Sequence, residues 1–463
     1  MNSQEDCLRE ELDLFSPPKF QTSVDEGSWD KLAPLPGYNT SSASNLEFQY
    51  SGTDEYPDLD QTFLYLKVSI RKKEPNQNDY TPIKATDKIG PVNNFLHSIF
   101  KSATLFINNT SIENANDMYA YRAYIENLLG YSRCAKDSHL QNALFYKDTA
   151  GKMDKETPLA PVELTDTSTA AQIVAHLKSL DYITPFNEGL NERKKRFSKN
   201  SVELWGPVHI DMFNTNRYLL NNVPFRLLLT RNSDAFCLLG EKGVNSYAVF
   251  IENAYLYVRK QRLSPNIMAN HIKSLQTLNC QYPIRKVEVR NTTINKGTQF
   301  EELLLCTGKM PRRLIFGLAA HSAVSGSYEH NPFEFEHFNL SSIDVCVAGH
   351  SMPYRNQLNM NFEQGTYAMA YNSLFQGINR YAYENGCDIS YNEFAKGYAL
   401  YAFNLTPDNC DGMYYSIPRN GELRLKLAFD VETPNNITCI YYLEFDSLVQ
   451  ITQTHNVIVD HRI

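Results

Sequence analysis

Single-residue alternation of apolar and polar positions dominates this chain. In the run from Thr62 to Arg71, Leu64, Leu66, Val68 and Ile70 share one face, the signature of a half-buried strand. The same texture returns at 103–108, from 203 onward through Val208, Ile210 and Met212, in the segment opened by Phe225, and over 248–259. It recurs in the second half at 283–291, 300–306, 312–320, 341–348, 398–405, 421–431 and 437–452. The clearest case is Leu423, Leu425, Leu427 and Phe429 set against Arg424, Lys426 and Ala428.

Helical spacing interrupts the strands in a few places. Val92, Phe95, Leu96, Ile99 and Phe100 recur at i, i+3, i+4, i+7 and i+8, as do Tyr121, Tyr124, Ile125, Leu128 and Leu129. Further helices are expected over 170–180, 366–376 and 390–396. Ser264 and Pro265 supply an N-cap and a first-turn proline for a helix reaching about Gln276, with Met268, Ile272 and Leu275 inward. Residues 1–44 are polar, with SPP at 16–18 and SSAS at 41–44, and read as an arm without a core of its own. Two strand-rich sets, each carrying helices in a long connection, predict a mainly all-β chain built as two sandwiches or jelly rolls. The boundaries are an arm at 1–44, a first domain at 45–263 with a helical insertion at about 87–195, and a second at 264–463 with a shorter insertion. No repeat with a fixed period of about 20–50 residues is visible, which argues against a solenoid or propeller.

Composition narrows the function. A chain of 463 residues suits two domains of middling size. It holds 29 Tyr and 25 Phe against 2 Trp, a mix that fits half-buried strands and wet contact surfaces. A net charge of −8 argues against nucleic-acid binding by the molecule as a whole. Nine cysteines lie scattered with no CxxC pair, so neither a disulfide framework nor a zinc site is indicated. The acidic N-terminus lacks the basic and apolar regions of a signal peptide, so synthesis inside the cell without secretion is expected, and the sequons at Asn291 and Asn404 carry no weight. No apolar stretch approaches the ~18 residues that span a bilayer.

The spacings that catalysis needs are missing. Gly308 and Lys309 have Leu303 where a phosphate-binding loop needs its first glycine, and Gly151 and Lys152 have Tyr146 there. GHSMP at 349–353 fails the nucleophile-elbow pattern at its last position. His321, His330, His337 and His350 match no metal-ligand spacing and read as surface or interface histidines. Asp58 and Asp60 lack the glycine and distal glutamate of a calcium loop and read as solvated. Two basic runs stand out. Arg193, Lys194, Lys195, Arg196 and Lys199 form the denser one, a candidate basic patch for nuclear import or phosphate contact; Arg259 to Arg262 is the other. No catalytic residue, cofactor or metal ligand is assigned.

An ordered series of segments resembles the major capsid protein of Maverick/Polinton elements and adintovirus-like viruses. In the first half these are DKIGPVNNFLHSIF at 87–100, YAYRAYIENLL at 119–129, ALFYKDTAG at 143–151 and NNVPFRLLLTRNSDAFCL at 221–238. In the second they are YPIRKVEVR at 282–290, PRRLIFG at 311–317, GSY at 326–328, NPFEFEHFN at 331–339, GYALYAFNLTP at 397–407 and NVIVD at 456–460. The arm and the region 151–200 carry no such block.

The resemblance implies two upright eight-stranded jelly rolls per chain, a homotrimer with a pseudo-hexagonal outline, and trimers tiling an icosahedral shell. It implies a virion location, assembly in cytoplasm or nucleus, a penton or minor capsid protein as further partner, and only indirect contact with packaged DNA. On this reading the protein is not an enzyme. The tyrosine-rich helix, with Tyr119, Tyr121 and Tyr124, is then the candidate source of intersubunit contacts. The alternative is a jelly-roll carbohydrate-binding or glycan-processing module, for which Asp408 and Asp411 near Tyr414 and Tyr415 are the only candidate site.

Overall fold

The computed structural model describes residues 14, 15, 17, 20–36, 45–75, 79–84, 87–112, 117–154, 186–197, 200–241, 245–382, 386–409 and 414–460. Eight strands make up the first half: β1 (Val24–Leu32), β2 (Leu46–Tyr50), β3 (Tyr56–Lys73), β4 (Phe100–Ile107), β5 (Thr110–Ser111), β6 (Val202–Pro207), β7 (Phe225–Arg231) and β8 (Ser246–Leu263). Eight more make up the second: β9 (Cys280–Ile294), β10 (Phe300–Lys309), β11 (Arg313–Ala320), β12 (Leu340–Val347), β13 (His350–Ser351), β14 (Leu400–Asn404), β15 (Asn420–Phe429) and β16 (Ile437–Ile451). Short accessory strands, such as Val457–Asp460 against β16, extend these sheets, and Ile89–Pro91 pairs with Leu238–Gly240 in a small two-stranded sheet of its own.

The sheets run β1-β8-β3-β6 and β2-β7-β4-β5 in the first half, then β9-β16-β11-β14 and β10-β15-β12-β13 in the second. Adding eight to each label of the first half gives the order of the second. The chain is therefore two tandem eight-stranded jelly rolls of identical topology. Each sheet turns one face to a core between the layers: Leu64, Leu66, Val68 and Ile70 of β3 are fully buried, as are Leu423, Leu425 and Leu427 of β15. The long pairs β3–β8 and β9–β16 form the backbone of the two rolls, the second in unbroken register from Cys280↔Ile451 to Ile294↔Ile437.

Helices occupy equivalent connections. Helix α1 (Tyr119–Gly130) and helix α2 (Glu188–Arg196) lie between β5 and β6, helix α3 (Pro265–Leu275) joins the halves, and helix α4 (Ala368–Gly377) lies between β13 and β14. None of the described helices is long and apolar enough to cross a membrane.

Several expectations change. The stretch 1–44 is not only an arm, because it supplies β1, which pairs with β8 from Val24↔Leu263 to Leu32↔Leu256. As an edge strand with Asp25, Glu26 and Lys31 exposed, β1 shows little apolar alternation to read. The helix expected at 92–100 shrinks to Phe95–Ser98, since Phe100 already belongs to β4. The insertion expected at 87–195 thus contains two roll strands, β4 and β5. Residues 208–213 form a turn rather than a strand, with a 3-10 segment at Asp211–Asn214 held by contacts described below. In α3 the apolar stripe turns inward only in part: Met268 and Leu275 are half-buried and pack against the core, whereas Ile272 is 58% exposed. The helix expected at 170–180 lies outside the described residues.

Candidate functional site

Among the described residues, the place where the two rolls meet brings together rings and charged groups from both halves. Its centre is α1. Alanines and tyrosines at helical spacing bury this helix on nearly every side, so it is sandwiched rather than laid on a surface. Phe333, from the β11–β12 connection, enters a pocket of first-half rings. Its ring lies 4.2 Å from that of Tyr124 and nearly parallel, and Tyr121 and Phe236 meet it edge-on at 5.5 and 6.1 Å.

A charged layer lies beside the rings. Arg122 donates to Glu126 at 2.9 Å and to Asp211 at 2.6 Å, and Asp211 also accepts the Val287 backbone N–H of β9 at 3.2 Å. The other Glu126 oxygen sits 2.6 Å from His209 Nδ1, and the Tyr442 hydroxyl of β16 donates to Glu126 at 3.3 Å. Burial alone would raise the Glu126 carboxyl; Arg122 and His209 outweigh it and hold the group at about 2. His97 packs on His209 with ring centroids 4.6 Å apart, and burial, aided by that neighbour, holds His97 well below its ordinary value. These bonds explain why 208–213 forms a turn: the buried Asp211 carboxylate ties it to α1 and to β9 at once.

A second cross-seam network centres on Asp148. It accepts from Arg193 and Asn187, both at 2.8 Å, and from Asn331 of the second half at 3.2 Å, while its carbonyl accepts the Tyr398 hydroxyl at 2.6 Å. Lys136 donates to the Leu128 and Cys387 carbonyls at 2.7 and 2.6 Å, and burial pushes its ammonium down to about 8. Lys147 reaches Glu393 at 2.9 Å.

These positions correct two sequence expectations. Tyr119, Tyr121 and Tyr124 do not face another chain; all three are buried inside their own, with the Tyr119 hydroxyl 3.1 Å from His97 Nδ1. The ring surface that seemed excessive for one roll serves to join two. Arg193 does not belong to a basic patch either. It is fully buried, donating to Asp148 and to the Pro91 and Tyr146 carbonyls. Lys195 and Arg196 are exposed, Lys195 pairing with Glu192 at 2.6 Å; Lys194 is half-buried, and Lys199 lies outside the described residues. The run amounts to one inward arginine and a solvated face of α2.

The remaining candidates are scattered. His321 bonds Thr438, His330 bonds Asp154, His337 stacks on Phe362, and His350 is exposed on β13. Asp58 and Asp60 lie within β3 rather than in a loop. Lys260, in the second basic run, pairs with Asp30 and Glu55. The Tyr415 hydroxyl is turned inward to the Ile284 and Ser447 carbonyls, Tyr414 is exposed, and Asp411 lies outside the described residues. The seven described cysteines are free, and no group of His, Cys, Asp and Glu among the described residues is placed to hold a metal. Sequence reasoning missed Phe333, Glu126 and Asp148. They lie within the NPFEFEHFN, YAYRAYIENLL and ALFYKDTAG runs, but nothing in those runs sets these three residues apart.

Comparison with known proteins bears on the whole architecture. No family model matches the chain. The uncharacterized protein F54H12.2 of Caenorhabditis elegans is 27% identical over 459 residues, covering 96% of this chain and 99% of that one. A chain of the Sputnik virophage superposes with a TM-score of 0.63 at 11% identity, over 99% of this chain and 93% of its own. The mavirus major capsid protein gives 0.52 at 10% identity, over 100% and 95%. The faustovirus major capsid protein gives 0.54 at 9% identity, over 95% and 93%. The chain thus shares, from end to end, the double jelly-roll fold of viral major capsid proteins.

Proposed function

We propose that this chain is a major capsid protein of the Maverick/Polinton and adintovirus-like kind, a structural protein and not an enzyme. Three copies form a pseudo-hexagonal capsomer, and capsomers assemble into an icosahedral shell. One observation carries the reading: two jelly rolls of identical strand order, locked side by side through a buried aromatic and polar seam, in a fold shared over 93–95% of the length of solved capsid proteins. A rigid two-roll unit is what a threefold ring needs to present six similar edges to its neighbours. Division into an arm, a first roll and a second roll from about Ser264 belongs to the same proposal, as do a virion location and a penton or minor capsid protein as partner.

Light scattering on the purified chain, followed by negative-stain microscopy of the same sample, tests this. A species at three times the 53.0 kDa chain mass, hexagonal in outline, or closed shells, is expected. A folded monomer that never associates at high concentration overturns it.

A further inference from the structure

Helix α1 is buried on nearly every side, but a cleft of about 430 Å³ opens where its first turn meets the second half. Met118, Ala120 and Tyr121 at the start of α1 and Phe236 of the β7–β8 connection line it from the first half. Val324 of the β11–β12 connection and Tyr441 of β16 line it from the second. All of these but Val324 are at least nine-tenths buried, so the cleft is cut into the seam instead of lying on the surface. Tyr121 and Phe236 also meet Phe333 edge-on, which fixes those two rings in place.

The Tyr121 hydroxyl is buried with no hydrogen-bond partner among the described residues. Neighbouring tyrosines of the seam differ: Tyr119 bonds His97, Tyr398 the Asp148 carbonyl and Tyr442 Glu126. A buried donor left unpaired is destabilising, and an acceptor entering the cleft would remove that cost. The charged groups at the cleft are already answered. Arg290 pairs with Glu288 at 2.5 Å, and Asp117 pairs with Lys101 at 3.3 Å. With one charge of each sign, both paired, the lining selects neither an anion nor a cation. What it offers is an apolar and aromatic wall with one unpaired donor.

We propose that this cleft binds an uncharged apolar molecule carrying a hydrogen-bond acceptor, of the class of an aryl ketone or acyl ester, whose oxygen accepts from the Tyr121 hydroxyl. Sites for small organic molecules have volumes of about 300–1,000 Å³ and are lined mostly by apolar and aromatic groups with a few polar ones, as here. The occupant touches both halves at once. It binds the folded chain and not the unfolded one, so it strengthens the joint between the rolls. The capsomer reading needs no such ligand and stands or falls apart from it.

Nile red, an uncharged dye with an aromatic body and a carbonyl acceptor, is titrated into the full chain. Bound dye is read by its emission and stability by the thermal midpoint; saturable binding and a raised midpoint are expected. Val324→Phe, which fills the cleft from a half-buried position, should weaken binding at least about tenfold. Tyr121→Phe keeps the ring and removes only the hydroxyl. It should leave the dye-free midpoint no lower than wild type and weaken dye binding about three- to tenfold. Pyrene, an aromatic body without an acceptor, should bind wild type and Tyr121→Phe alike. Phe300→Ser, on the second half's other sheet, should bind the dye as wild type does. If Val324→Phe fails to fold by circular dichroism, Tyr121→Phe decides alone. Dye binding undiminished in Tyr121→Phe overturns the proposal. Dye released in step with rising mass by light scattering gives the cleft to a neighbouring chain and overturns it as well.

Discussion

Tyr124 and Phe333, 209 positions apart in sequence, lie ring on ring with centroids 4.2 Å apart and 11° between their planes. One belongs to the helix inserted in the first roll and the other to a connection of the second, so this stack fastens the two halves. Truncating a buried phenylalanine costs about 3–5 kcal/mol, and aromatic pairs couple by about 0.5–1.5 kcal/mol beyond the area they bury. Phe333→Ala should therefore lower the urea midpoint sharply. The double-mutant cycle with Tyr124→Ala should show less than additive loss, and strict additivity would count against the stack as the fastening.

Glu126 ties the stability of the seam to acid. An unfolded glutamate titrates near its ordinary value of 4.5, whereas the folded carboxyl is held at about 2 against the pull of burial. Its contribution is complete above 4.5 and is lost as pH falls from there toward 2. Thermal midpoints of the wild type should fall through that window, and Glu126→Gln, weaker at neutral pH, should lose less across it. Parallel curves for the two proteins would assign the acid sensitivity elsewhere.

The rolls themselves were legible where one face of a strand is buried and the other wet. Leu64 to Ile70 and Leu423 to Phe429 announce period two, and the structure places them as read. Strand β1 was hidden because an edge strand with two half-buried apolar residues carries no alternation. The turn at Asp211 was misread because a buried carboxylate, holding Arg122 and Val287, overrides an alternation that was present. The seam was misassigned for a related reason. Tyrosine count and helical spacing mark Tyr121 and Tyr124 as apolar surface in need of a partner, but nothing local says whether that partner is another chain or Phe333 of the same one. The charge run at 193–199 failed at a single residue, since composition cannot tell an arginine facing solvent from one facing Asp148.

Gly377 closes α4 against β14 with no space to spare. A Cβ there would lie 2.3 Å from the carbonyl carbon and oxygen of Ala402, and the Gly377 carbonyl accepts from Arg313 at 2.9 Å. Overpacking of this kind costs about 1–3 kcal/mol, and backbone cannot step aside as a side chain can. Gly377→Ala should lower the unfolding midpoint and speed hydrogen exchange in α4 while β3 and β8 keep their protection. Unchanged exchange in α4 would mean that the helix is not seated as described.

Arg193 offers the clearest contrast between a charge on a surface and a charge in a core. Its guanidinium is fully buried 2.8 Å from Asp148, which is also fully buried, and its Nε and Nη1 donate to the Pro91 and Tyr146 carbonyls. Removing one partner of such a pair costs about 3–5 kcal/mol, because the other charge is left unpaired in low dielectric. Arg193→Met should therefore destabilise strongly, and Arg193→Lys should recover only part, since one ammonium cannot serve three acceptors in a plane. The exposed neighbours behave differently. Lys195→Ser and Arg196→Ser should leave the unfolding midpoint within about 0.5 kcal/mol of wild type, as solvated charges do. Denaturant unfolding of the four single variants checks the division. If Arg193→Met were as stable as Lys195→Ser, the Asp148 network would not be holding the α2 insertion to the second roll, and the basic run would return as a surface feature.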